Sequence, residues 1–280
     1  MPVRIVTDSS ADLPADEIEK LGVQVVPLSI RFGTEEYTDG VDLSVEQFYE
    51  KLVTSEELPE TSAPAPGAFE AAFRRQAEAG ADAVVCINLS SGLSATMQAA
   101  QTAATAVAGD IDVRVVDSLS ITSGLGTQVR LAAEMASEGA GADAVAALVE
   151  DLATRTRVIG TLDTLENLKK GGRVGAAQAL LGSVLSVKPL IDISSGVVAE
   201  AGKVRTRRRA LEWVRDQVFE RPRVEHLNIA HGMAPDVDQM LDLLAPRYPA
   251  DEVRITTIGA TIGTHGGPRV MGLTWIEPAT

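Results

Sequence analysis

Residues 83–98 read AVVCINLSSGLSATMQ. The first five, Ala83-Val84-Val85-Cys86-Ile87, form a short unbroken apolar run of the kind that makes a buried parallel strand. The run empties into a Ser/Gly-rich turn, and an alanine-rich helical pattern follows over 95–107. A helix N-terminus has unpaired N–H groups and the positive end of the dipole, so Ser90, Ser91, Ser94 and Thr96 stand where an anion is favoured. The same residue types are ordinary N-caps. Taken alone, the stretch is a strand-to-helix turn that either caps its helix or holds a carboxylate or phosphate.

The unit recurs on both sides of this stretch. Val3 to Thr7 predicts a strand that ends in the polar turn Asp8-Ser9-Ser10-Ala11-Asp12-Leu13-Pro14, followed by a helix over 15–20. Val113 to Val116 predicts a strand running into Asp117-Ser118, with helices over 124–137 and 142–153. Between them lie a strand at 23–28, a hairpin excursion at 29–39, helices at 45–53 and 68–78, and an irregular proline-rich segment over 54–68. Strand, crossover and strand in this cadence argue a parallel sheet with helices on both faces.

After about residue 155 the texture changes. The pattern predicts a strand at 157–160, a short helix ended by Gly171-Gly172, and strands at 184–193 and 197–204 joined by the turn Ser194-Ser195-Gly196. A helix at 208–218, a strand at 226–231, a helix at 237–244 and strands at 252–258 and 270–276 complete the chain. The expected fold class is two-domain α/β: residues 1–154 with a parallel sheet and flanking helices, and residues 155–280 with a mixed sheet.

Composition narrows the chemistry. With 25 Lys and Arg against 39 Asp and Glu, the 280-residue chain carries a formal charge of −14, which disfavours nucleic acid and anionic bilayers as partners. No apolar run reaches a membrane-spanning length and the N-terminus lacks a signal-peptide pattern, so no stable membrane insertion and a cytoplasmic location are expected. The single cysteine, Cys86, excludes an internal disulfide and reads as core. His226, His231 and His265 show no metal-ligand spacing, and His231 reads as a satisfied structural histidine. P-loop and G-x-S-x-G patterns are absent, and Ser123-Gly124-Leu125-Gly126 lacks the third glycine of a dinucleotide fingerprint. What remains is a set of loop-borne groups: Thr61 and Ser62, Ser94 and Thr96, the glycine-flanked His265, Arg173 after two glycines, and the cluster Arg205, Arg207, Arg208, Arg209. Hydroxyls and an imidazole donate to a carboxylate, and a guanidinium suits bidentate contact with carboxylate or phosphate.

In order along the chain stand Ile5 to Pro14, Val26-Pro27-Leu28, Thr61-Ser62, Leu89 to Ser94, Val116-Asp117-Ser118, Leu168 to Val174, Lys188-Pro189-Leu190 and His265-Gly266-Gly267-Pro268. With these eight segments the chain resembles the DegV family of bacterial fatty-acid-binding proteins over nearly its whole length. The resemblance implies a non-enzymatic carrier that takes no cofactor and holds one long-chain fatty acid. The acyl chain would lie in an apolar tunnel of the C-terminal domain and the carboxylate near the domain junction. It further implies presentation of the acid to a fatty acid kinase, which forms the acyl phosphate. Carried over, Thr61, Ser62, Ser94 and His265 are the expected head-group ligands, and Arg173 the expected kinase or phosphate contact. Arg205, from the basic cluster, is a further candidate for partner or phosphate contact. Three departures concern acyl-chain preference: Ala63 and Ala65 around Pro64, Ala95 and Met97 where the family has glycine and tyrosine, and Arg269 where glycine usually follows the proline. Two alternatives remain: a regulatory module for a small anionic metabolite, and a Ser94/His265 acyl-transfer or hydrolytic enzyme.

Overall fold

The computed structural model describes residues 2–175, 177 and 187–279. The segment 83–88 is a fully buried strand, β6 (Ala83–Asn88), between β1 (Val3–Asp8) and β7 (Asp112–Asp117). With β2 (Gln24–Val26) they form a four-stranded parallel sheet in the order β2-β1-β6-β7. Strand periodicity splits β6 between two cores. Val84 and Cys86 face a layer with Phe69, Phe73 and the alanines of α3 (Pro66–Glu78) and α4 (Thr96–Ala106). Val85 and Ile87 face α5 (Thr122–Ser137) and α6 (Ala142–Arg155). Cys86 is fully buried, and burial pushes its thiol well above the ordinary range, so it is core.

The second sheet is mixed and six-stranded: β10 (Ala199–Val204), β9 (Lys188–Asp192), β8 (Thr156–Thr161), β13 (Met271–Ile276), β11 (Glu225–His231) and β12 (Arg254–Thr257), in that order. Only β11 and β12 pair in parallel. One face packs Met271, Leu273 and Trp275 on α8 (Arg207–Phe219) and α9 (Val237–Leu244). The other presents Val158, Ile191, Ile193 and Ala230 to the core that the first sheet shares with α5. Helix α5 therefore lies between the two sheets and is buried on all sides over its first eight residues. Two of its polar side chains are tied inside: Ser123 Oγ to Thr274 Oγ1 at 2.8 Å, and Gln128 Nε2 to Ser118 O and Thr156 Oγ1 at 3.0 Å each. The glycines of the incomplete dinucleotide motif serve this packing, since a Cβ on Gly126 would stand 2.5 Å from Ala11 O.

Three expectations need correction, and one lies partly outside the described residues. The segment 54–68 is not wholly irregular: β5 (Glu60–Ser62) pairs antiparallel with β3 (Ser29–Phe32), which also pairs with β4 (Glu35–Thr38), making a small third sheet over α2 (Val45–Thr54). Pro59 and Pro64 flank this three-residue strand and hide it from a propensity reading. The loop placement of His265 fails because α10 (Ala260–Gly266) runs through it, with Gly263 packed under Phe48 and Tyr49. His231 is not satisfied: its Nδ1 is buried without a hydrogen-bond partner among the described residues. The expected strand at 184–193 is described only from residue 187 onward, where β9 occupies Lys188–Asp192.

Candidate functional site

Between the two sheets lies a cavity of about 870 Å³, its mouth included. One wall comes from the mixed sheet and the residues just past its strands, with Val158, Gly160, Leu162, Ile191, Ile193, Ala230 and Gly272. Leu28, Leu89, Leu93 and Ile121 close it from the ends of the parallel strands, and Ile258, Ile262 and Val270 from α10 and its flanks. Polar lining is sparse, and no acidic side chain is among the lining residues. Thr61, Ser94, Arg173 and His265 all line it. An apolar pocket with few convergent polar groups is the ordinary form of a small-ligand site.

Each polar group is placed by its own element. The Asp8 carboxylate accepts from Leu89 N at 2.9 Å, Asn88 Nδ2 at 3.1 Å and both Ser10 N and Oγ, which pins the end of β6 to the turn after β1. Burial nevertheless raises its pKa. Past this anchor Ser90 Oγ donates to Gly196 O at 2.6 Å, and Ser91 donates to Asp117, so these two serines shape the turn. Ser94 Oγ accepts from Thr96 N at 3.2 Å and lies 2.8 Å from Thr96 Oγ1. When Thr96 is the hydroxyl donor of that pair, the Ser94 O–H is free to donate to a ligand. The capping and anion readings of this turn are thus compatible: the oxygen caps, and the proton is available. Ala95 is exposed and is not among the lining residues.

His265 sits in the last turn of α10. Its Nε2 is 2.9 Å from Thr61 Oγ1 on β5, and its ring lies against Gly171, where a Cβ would stand 2.2 Å from Nδ1. The helix is held from both ends: Thr261 Oγ1 and Ser9 Oγ donate to Asp39 at 2.6 and 2.8 Å, and Asn167 Nδ2 donates to Thr264 O at 3.0 Å. Arg173 donates from Nε to Leu93 O at 3.1 Å and from Nη1 to Gly171 O at 2.6 Å, leaving Nη2 without a hydrogen bond among the described residues. Burial, with the Arg173 charge beside it, pushes the imidazole down to about 4, so it is neutral at pH 7. The site therefore offers hydroxyls, a neutral imidazole and one guanidinium, all suited to a carboxylate.

Ser62 is exposed and stands outside the cavity lining, and so does Arg205. In the rest of the basic cluster Arg207 pairs with Asp236, and Arg208 and Arg209 pair with Glu212. Arg269, at φ +62°, turns toward Asp163 at 3.6 Å instead of toward the cavity. A backbone in the left-handed region explains why glycine suits that position. Two residues escaped the sequence reading. Asp39 was one acid among many in a hairpin, and Gly171 read only as a helix stop. Among the described residues no group of acidic, His and Cys side chains could hold a metal, and no helix is long and apolar enough to cross a membrane.

Because the folded imidazole titrates near 4 and an exposed one near 6.5, the unfolded chain takes up a proton in that window that the native chain refuses. Stability from this group is present above pH 6.5 and is lost as pH falls toward 4. The raised carboxyls of Asp8, Asp12 and Asp39 act in the opposite sense, so the comparison is with His265→Gln. Between pH 7 and 4.5, urea unfolding should show wild type losing about 2 to 3 kcal/mol more than the variant.

A model of the family described as "Uncharacterised protein, DegV family" matches residues 2–278. A DegV domain-containing protein of Streptomyces coelicolor is 38% identical over 275 residues, covering 97% of each chain. Among solved structures, a DegV family protein from Thermus thermophilus, described by its fatty acid binding, superposes with a TM-score of 0.90 at 33% identity, covering 99% of this chain and 100% of its own. DegV of Bacillus subtilis, described as a fatty acid binding protein, gives 0.88 at 30% identity, covering 99% and 100%.

Proposed function

The chain belongs to the DegV family, and we propose that it binds one long-chain fatty acid and presents its carboxylate to a fatty acid kinase. The observation that carries this reading is an apolar cavity with hydrogen-bond donors gathered among few lining residues and no facing acid. An acyl chain gains about 0.8 kcal/mol for each methylene it buries, so the tail supplies most of the affinity and the polar end fixes its direction. Thr61 and Ser94 donate to the carboxylate, His265 Nε2 orients Thr61, and Arg173 lies beside them. Hydroxyls and a neutral imidazole, with one guanidinium beside them, hold the carboxylate through hydrogen bonds, as a carrier requires if an oxygen is to be phosphorylated. Acyl transfer by the chain itself is disfavoured because His265 Nε2 is bonded to Thr61 and Ser94 Oγ to Thr96, with no hydrogen bond between Ser94 and His265. A small anionic metabolite would leave the apolar wall uncovered.

Native mass spectrometry of protein purified from a bacterial host should show an adduct of fatty-acid mass. Protein that is clean and also fails to take up palmitate or oleate sinks the proposal. Supplying the loaded protein, ATP and a bacterial fatty acid kinase should yield acyl phosphate; loaded protein that the kinase leaves unchanged removes the kinase half alone.

A further inference from the structure

A second cleft, of about 290 Å³ against about 870 Å³ for the first, mouths included, lies along α5, and no residue lines both. Ser123, Gly126, Thr127 and Arg130, spaced as one side of a helix, form part of its wall. The rest comes from the turn after β1, from Glu17 of α1 (Ala15–Leu21), from Asn228 of β11 and from Arg254 to Thr256 of the edge strand β12.

Two charged groups in this cleft are unmatched. Arg130 is half-buried, and of the arginines withdrawn from solvent it alone makes neither a hydrogen bond nor an ion pair among the described residues. The others have acids as partners or, for Arg173 and Arg247, backbone carbonyls. The charged neighbours of Arg130 are Arg254, Glu17, Glu134 and His226, and burial with the Arg254 charge pushes its pKa down. Glu17 is the second group. Its Oε1 accepts from Arg254, whereas its Oε2 is buried without a hydrogen-bond partner among the described residues. Asp12, the other acid on the wall, is engaged by Gly259 N at 3.0 Å and by the Thr122 hydroxyl. A half-buried cation and a buried carboxylate oxygen, each without a partner, cost free energy that a complementary ligand removes. A bare anion suits Arg130 but meets Glu17, and a bare cation suits Glu17 but meets Arg130. One small molecule that carries both charges satisfies both.

We propose that this cleft binds a free α-amino acid, its carboxylate on the Arg130 guanidinium and its ammonium on Glu17 Oε2. The small volume restricts the side chain to a few atoms. No covalent step is involved, and because the cleft shares no residue with the fatty-acid cavity the two readings stand or fall separately.

The test is calorimetric titration of wild type, Arg130→Gln and Glu17→Gln with glycine, L-alanine, L-serine and L-proline. Acetate, inorganic phosphate and methylammonium serve as single-charge controls. At least one amino acid should bind wild type with a Kd below about 1 mM and about tenfold or more tighter than any control. Each substitution should weaken that binding by about tenfold or more, with a thermal unfolding midpoint near that of wild type as proof of folding. If Glu17→Gln does not fold, Arg130→Gln and the controls decide. No binding of any amino acid at about 10 mM, acetate or phosphate binding as tightly as the amino acids, or amino-acid binding unmoved by Arg130→Gln overturns the inference.

Discussion

Phenylalanine at Ala230 should lower the affinity for palmitate by about a hundredfold or more while leaving the fold intact. Ala230 lies on β11, lines the cavity and is 2% exposed, so the added ring enters the volume assigned to the tail. Excluding about four methylenes forfeits roughly 3 kcal/mol at 0.8 kcal/mol each, which is about two hundredfold in affinity. By comparison, Ser94→Ala removes one hydrogen bond to the head group and should cost only about fivefold to tenfold. The ring fills a cavity instead of crowding a close-packed core, so urea unfolding of the ligand-free variant should stay within about 1 kcal/mol of wild type. Calorimetric titration of palmitate decides: undiminished affinity in Ala230→Phe would mean that the tail lies elsewhere.

Gly272→Ala should have the largest effect on stability, lowering the unfolding free energy by about 2 to 4 kcal/mol. Gly272 pairs with Gly160 across β13 and β8, and a Cβ on it would stand 2.3 Å from Ile159 O and 3.2 Å from Gly160 Cα. These are backbone atoms in the middle of the mixed sheet, with no flexible side chain to move aside. The reciprocal change, Gly160→Ala, meets Met271 O at 3.0 Å and should cost less. Denaturant midpoints of the two variants test the order; a Gly272→Ala midpoint equal to wild type would refute the close approach of the strands. The same glycine pair leaves this part of the cavity floor without side chains, so the strand contact that stabilises the sheet also makes room for a ligand.

Much of this protein was legible along the chain because its signals are local. Five apolar residues followed by a polar, serine-bearing turn mark a buried strand and a helix mouth, and the repetition of that unit marks a parallel sheet. The motifs around Thr61, Ser94, Arg173 and His265 named groups that line one cavity, since each is a polar residue on a turn or short element. Tertiary structure alone decided how they act. His265 reaches Thr61 across 204 residues, and Gly171 becomes its shelf only when α10 packs against the short helix α7 (Glu166–Lys170) that Gly171 ends. Asp39 gains its role by meeting Thr261 and Ser9 from distant segments. The short strand at Glu60–Ser62 exists because β3 offers it hydrogen bonds, which no propensity of its own supplies. Ser62, next to Thr61 in sequence, faces away because successive residues of a strand point to opposite sides. Local preference chooses the elements, whereas a cavity between two sheets is a property of contacts distant in sequence, and these arise only when the chain is folded.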